Sequence, residues 1–517
     1  MELASELMVT AGWVLIAIYS AIILYFVIRG AKNVKDIDDY ALGSIMFSPY
    51  AVGLSLAASI TSAATFIINP GFIALYGISG ILSMAIALPI AALLSLIVLT
   101  KGFRKHGKLV KALTMAQWME TRYKSKKFGI FFGFLSLLLI TFIVLISVGI
   151  TKVLASTLNV PEFYTLIGIV LFVFGYMMFG GANSMVYTNA IQAVLMLIVA
   201  FILLGSGYEH FSNGVHAFMD KLAAIDPKLV STTNDDSFLF RDYFEIFVAQ
   251  FIVGIAIICQ PHIITKSLLL KSDDDVNKYL TTGIITQLIF FSVVSVGLYI
   301  RLSFPDLTIA EEALAMDDLV SAYVVREFPV FVGLIVVMGL ISAGLSTLES
   351  LIQTLSTTVT KDILQPLAGN WLGMNGENNR SVAINKAVIA MMALATIIIS
   401  WDQIVNPKLS VGIFAQNGVY AYFSAAFVPI MFGMFFKNVS LKAVFSASIV
   451  AVVVHFTMYY AKLPVPFTQS TGENPGVAAA VAIILSVLTV LVISFLEGKS
   501  IKTVDEVPTP KDQVQGK

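Results

Sequence analysis

About thirteen stretches of roughly twenty apolar residues, set one after another, leave this chain few ways to fold. They lie near residues 8–29, 46–76, 79–100, 128–157, 162–180, 184–207, 243–268, 279–303, 328–363, 382–400, 408–434, 440–460 and 475–496. A helix of about twenty apolar residues matches the hydrocarbon thickness of a bilayer. It also bonds its own backbone where no water can. The expected fold is therefore an all-α integral membrane protein with about thirteen transmembrane helices. Charge agrees: 12% of the 517 residues are charged, against about a quarter in a soluble domain. The first stretch follows a mildly acidic start and is full length. It reads as a true span, since a cleaved leader would be shorter and open on positive charge.

Several function classes are set aside by composition. Basic and acidic residues balance at 32 each, so no global field points to nucleic acid. Cys259 is the single cysteine, which excludes an intrachain disulfide and a multi-cysteine metal cluster. The five histidines fall in no zinc-binding spacing. Glu349 is the one convincing buried acid, so clustered catalytic groups are absent and no enzyme activity is expected.

Basic residues orient the spans. Loops after odd-numbered spans carry Arg29, Lys32 and Lys35, then nine from Lys101 to Lys127, then Lys266, Lys271 and Lys278, with further clusters to Lys517. That side holds 24 of the 32 basic residues, and the positive-inside rule makes it cytoplasmic. The N-terminus is then outside and the C-terminus inside. Segments 208–242 and 304–327 become external loops with a short helix each, and the polar tail from Glu497 is expected to be disordered.

A carrier must hold polar cargo at mid-membrane, which calls for interrupted helices whose freed carbonyls and hydroxyls replace water. The second segment reads GLSLAASITSAATFIINPG. It concentrates Ser55, Ser59, Thr61, Ser62, Thr65 and Asn69 just before Pro70, and the proline is expected to break the helix there. The seventh, QFIVGIAIICQPHIITK, has Gln260 before Pro261. Two broken helices five spans apart fit an inverted repeat of five plus five. The ninth, GLISAGLSTLESLIQTLSTTVTKD, places Ala343, Ser346, Thr347 and Ser350 on one helical face. Two hydroxyls and a carbonyl there, with two carbonyls freed in the second segment, would surround a monovalent cation. Glu349 lies beside them, where a carboxylate must pair, face water or snorkel.

These stretches resemble the sodium/solute symporters, the family of the sodium/proline, pantothenate, monocarboxylate and glucose transporters. ALGSIMFSPYAVGLSLAASITSAATF, GGANSMVYTNAIQ, QPHIITKSLL and SAGLSTLESLIQTLSTTVTKDI carry the likeness, which spans nearly the whole chain. The resemblance implies a leucine-transporter-type 5+5 inverted-repeat core with one extra helix before and two after. It divides the chain into residues 1–45 (extra helix and loop), 46–207 and 208–434 (the repeats), 435–496 (two extra helices) and 497–517 (tail). It also implies a sodium site at the carbonyls of Ala58, Thr61 and Ala343 and the hydroxyls of Ser346 and Thr347.

Two departures stand out. Asn189 replaces an aspartate common in the family, and Glu349 stands at a serine position. Asn189, Glu349 and Ser350 are therefore expected to form a second cation site, the carboxylate having moved across the helix interface. Around the expected substrate centre stand Ser62, Thr65, Gln260, Asn417 and Tyr420. The aromatic residues of the proline branch and the polar sugar contacts of the glucose branch are missing, so a small carboxylate or zwitterion fits best. The expected function is sodium-coupled symport of such a solute by alternating access, with Na+ as the co-transported ion and no organic cofactor. The expected partners are the solute and the lipid bilayer, with no nucleic acid, and the expected state is a monomer or weak oligomer in a bacterial inner membrane. The alternatives are a proton-coupled carrier using Glu349, or a transporter-like membrane sensor.

Overall fold

The computed structural model describes residues 4–32, 37–42, 47–110, 114–270, 272, 274–309, 311–374, 378–406, 410–498 and 502–503. Eleven unbroken helices among them are long and apolar enough to cross a membrane, and two bent pairs bring the total to thirteen. In chain order the spans are Glu6–Ala31 (span 1), Pro49–Ile60 with Ala64–Tyr76 (span 2), Ile78–Gly102 (span 3), Lys126–Leu158 (span 4), Glu162–Ala182 (span 5), Ser184–Phe211 (span 6) and Phe244–Ile257 with Pro261–Ser267 (span 7). Asp275–Ser303 (span 8), Val330–Leu372 (span 9), Arg380–Val405 (span 10), Val411–Phe435 (span 11), Leu441–Ala461 (span 12) and Pro475–Leu496 (span 13) follow.

Burial sorts the spans into layers. Spans 9 and 11 are 78% and 83% buried over their most apolar windows, while span 1 is 17% buried. The outer helices show side chains such as Trp13, Tyr25, Leu394 and Leu488 to the surroundings, an apolar surface that only lipid or another protein can cover. The two bent helices, spans 2 and 7, open two runs of five spans. Span 1 precedes them and spans 12 and 13 pack together behind them, as the resemblance implies.

The breaks set the site, and one is not where proline suggested. Span 2 bends by 53° and span 7 by 57°. In span 7 the bend lies just ahead of Pro261, with Gln260 extended at φ −65° and ψ 133°, the conformation a following proline favours. In span 2 the helix ends at Ile60, Thr61 is extended at φ −89° and ψ 104°, and the helix runs on through Pro70. A wide π-type turn over Ala64–Ile68 precedes Pro70 and absorbs its missing donor. The hydroxyls make the break instead. Ser62 Oγ accepts from Ala64 N at 3.1 Å and Ser62 O accepts from Thr65 N at 3.0 Å, so Ser62 starts a new helix.

Spans 5 and 6 meet at Gly181, where φ is +62°. A Cβ there would lie 2.9 Å from the Tyr40 carbonyl oxygen, so glycine is required for both conformation and space.

Three further expectations change. Lys266, counted with the loop charges, is 3% exposed inside the bundle. Segment 304–327 is not simply solvated: Asp317 is 8% exposed and caps span 11, accepting from Ser410 Oγ at 2.6 Å and Val411 N at 2.9 Å. Beside it Asp318 pairs with Lys152 at 3.2 Å. Lastly, Lys502–Thr503 of the tail pair with Phe436–Lys437 as a short antiparallel ladder. The rest of the tail beyond Gly498 lies outside the described residues, as do Lys35, Lys111 and Lys271.

Candidate functional site

The backbone of span 2 supplies oxygens at its break. The ladder of its first half closes with Thr61 N to Ala57 O at 3.0 Å, leaving the carbonyls of Ala58, Ser59 and Thr61 beyond it. Span 9 crosses at this point with Ala343, Ser346 and Thr347 fully buried on one face. Ser346 Oγ lies 2.8 Å from Ala58 O and 3.1 Å from Ala343 O. Thr347 Oγ1 lies 3.2 Å from Ala58 O, 3.3 Å from both Ser59 O and Thr61 O, and 3.5 Å from Ala343 O. The structure thus brings all five predicted oxygens to one spot and adds a sixth, the Ser59 carbonyl. Two hydroxyl protons face four carbonyls there. Buried oxygens in excess of protons leave negative potential unmet, which a hard monovalent cation without charged ligands would satisfy.

A second cluster lies one turn farther along span 9. Glu349 is 1% exposed and its carboxylate is ringed by donors. Tyr176 OH and Gln192 Nε2 donate to Oε1 at 2.6 and 3.2 Å, and Thr188 Oγ1 donates to Oε2 at 2.7 Å. The Asn189 amide is oriented by its neighbours. Its nitrogen donates to Glu349 Oε2 at 3.2 Å and to Gln192 Oε1 at 3.0 Å, and its oxygen accepts from Lys266 Nζ at 3.2 Å and Ser350 Oγ at 3.3 Å. Lys266 Nζ also donates to Ser55 Oγ at 2.8 Å and Ser55 O at 3.2 Å. Ser350 is on the far side of Asn189 from Glu349, 2.9 Å from Ser59 Oγ. The predicted trio is therefore contiguous through Asn189, while Tyr176, Thr188, Gln192 and Lys266 were missed. Thr188 and Gln192 were visible in GGANSMVYTNAIQ as residues four apart on one helical face, with Gln192 three residues from Asn189.

Next to this junction is a cavity of about 100 Å³ between the two breaks. Of the residues expected around the substrate centre, Ser62, Thr65, Gln260 and Tyr420 line it, together with Asn69 and Gln416. Its other walls are apolar, among them Ile60, Phe142, Ile257 and Phe291, and no charged side chain among the described residues lines it. Gln260 Nε2 donates to Ile257 O at 3.2 Å, while its buried Oε1 has no partner among the described residues. Asn417 is a correction. It points away from the cavity to span 12, 3.4 Å from Tyr460 OH and 3.1 Å from His455 Nε2. One residue rotates a helical side chain by about 100°, and its neighbour Gln416 takes the lining place.

The sequence model of the sodium:solute symporter family matches residues 40–451. The chain belongs to that family. Over 474 residues it is 26% identical to the sodium/pantothenate symporter of Escherichia coli K12, covering 90% of this chain and 92% of that protein. It is 24% identical over 445 residues to a sodium/proline symporter of Staphylococcus aureus, covering 84% and 83%. A solved Na+-coupled sialic acid symporter superposes with a TM-score of 0.74 at 17% identity, covering 96% of this chain and 99% of that one. The chain thus shares the fold of that structure and is a multi-pass membrane protein of a transporter family.

Proposed function

We propose that this family member is a sodium-coupled importer of a small carboxylate or zwitterion, working by alternating access. The convergence of uncharged oxygens from the span 2 break and from Ser346 and Thr347 carries the reading. A sodium ion there ties span 2 to span 9, and the solute cavity opens beside the same break. Binding of one therefore stabilises the helix geometry that the other needs, which is the coupling free energy of a symporter. Rocking of the core then exposes both to the other side, where sodium leaves toward its lower concentration. The basic clusters support an external N-terminus and a cytoplasmic C-terminus, in a plasma membrane. The chain needs no bond-making chemistry for this cycle.

The cavity narrows the solute. Room for several waters suits a small solute of the carboxylate or zwitterion class. The unpartnered Gln260 oxygen calls for a donor on the solute, which a zwitterion's ammonium supplies. With no charged side chain in the wall, the solute carboxylate would be met by backbone donors at the helix breaks. The four donors around Glu349 favour sodium over proton coupling, since they complement an ionised carboxylate.

Uptake into liposomes by the purified chain tests this. Under an inward sodium gradient, one of proline, short monocarboxylates, pantothenate or sialic acid should accumulate and cease to do so when choline replaces sodium. Accumulation driven by a proton gradient alone would overturn sodium coupling. No accumulation under either gradient by folded protein would favour the sensor reading.

A further inference from the structure

The second cluster differs from the sodium junction in one respect: it already contains a cation. Lys266 Nζ has three N–H groups and three oxygens around it, Ser55 Oγ, Ser55 O and Asn189 Oδ1, at 2.8, 3.2 and 3.2 Å. Its side chain is 3% exposed, so it is largely withdrawn from bulk water. A buried ammonium needs a countercharge, and the Asn189 amide links it to one by accepting from Lys266 and donating to Glu349. Lysine, amide and carboxylate thus form a closed relay with a net charge of zero. An aspartate at 189 would add a second negative charge and call for another cation. The asparagine does not.

We propose that the Lys266 ammonium is the resident, tethered cation of the Asn189–Glu349–Ser350 cluster, so that this carrier moves a single sodium ion, bound at the Thr347 junction, in each cycle. Lys266 is a positioning residue and a cation surrogate. It holds the first half of span 2 through Ser55, one turn from the sodium carbonyls, and ties it to spans 6 and 9. The inference rests on the sodium-coupled reading above and adds the ion count.

Counting radioactive sodium bound per chain of purified protein tests it. Wild type should bind one ion, with a Hill coefficient near one, and Thr347→Ala should bind none. Lys266→Ala leaves Glu349 without a countercharge beside an oxygen-lined gap and should bind two ions, with the Hill coefficient rising toward two. Lys266→Arg should return the count to one. Should Lys266→Ala fail to fold, the charge-neutral pair Lys266→Met with Glu349→Gln should fold and bind one ion. Two ions on wild type, or one on folded Lys266→Ala, would overturn the tethered cation and leave the sodium junction standing. No sodium on wild type would instead remove the coupling reading itself.

Discussion

Two polar clusters lie one helical turn apart on span 9, and they are built in opposite ways. The junction at Ser346 and Thr347 has oxygens and no charge. The cluster at Glu349 has both charges, carried by Glu349 and Lys266 and joined by an amide. A neutral, oxygen-rich site in a buried place is incomplete until an ion arrives, and it can release that ion at modest cost. A compensated pair is complete without one, and removing either member leaves a buried charge alone. On the proposed reading the labour divides: one site moves an ion, the other holds the helices in register while it moves.

The largest effect should come from breaking the compensated pair. Lys266→Met alone leaves the Glu349 charge unmatched and should lower stability by about 3–5 kcal/mol, read as folded yield and thermal midpoint. Adding Glu349→Gln should restore much of that loss. If the single and double variants fall together, the pair is not coupled through Asn189 and the comparison fails.

The neutral site should respond in function more than in stability. Thr347→Ala removes the hydroxyl that reaches four carbonyls. The sodium concentration for half-maximal uptake should rise about tenfold or more, equivalent to ~1.4 kcal/mol, with a smaller shift in thermal midpoint than Lys266→Met gives. Gln260→Ala should weaken solute binding several-fold while sodium binding measured without solute stays unchanged. An equal loss of both would place Gln260 outside the solute cavity. Asn417→Ala, whose side chain turns to span 12, should leave solute affinity within about twofold, the size of an ordinary surface change.

Asp317 sharpens the contrast from outside the membrane, as a buried acid whose direct partners are the neutral Ser410 and Val411. Burial pushes its carboxyl above the usual range, against the pull of those two hydrogen bonds. The folded state then holds the proton more tightly than the unfolded one, so the stability it contributes is present in acid and declines as pH rises through the raised value. Thermal midpoints should therefore fall less for Asp317→Asn than for wild type between about pH 4 and neutrality. Parallel curves would show that Asp317 does not contribute to that slope.

How much of this was legible depended on whether a residue's role was local. Ser346 and Thr347 could be read because helical spacing puts them on Ala343's face and their partners are backbone atoms. The position of the span 2 break was misread. Pro70 is the louder signal, but a π-type turn accommodates it, while Thr61 and Ser62 break the helix through hydroxyl capping. Lys266 reads as a loop charge in sequence because it follows an apolar run, and only the 57° bend of span 7 turns it inward. Tyr176 reaches Glu349 from span 5, a pairing that no local pattern encodes. Asn417 was one residue away from the lining position, within the rotational uncertainty of a helix with no polar stripe to fix its phase.

The central claim is that sodium at the Thr347 junction and solute in the adjoining cavity stabilise the same arrangement. Solute affinity of the purified protein, measured by calorimetry in sodium and again in choline, tests it most directly. The account predicts that sodium tightens solute binding at least fivefold, about 1 kcal/mol of coupling, and that Thr347→Ala abolishes the difference. Equal solute affinity in sodium and choline for wild type would contradict it.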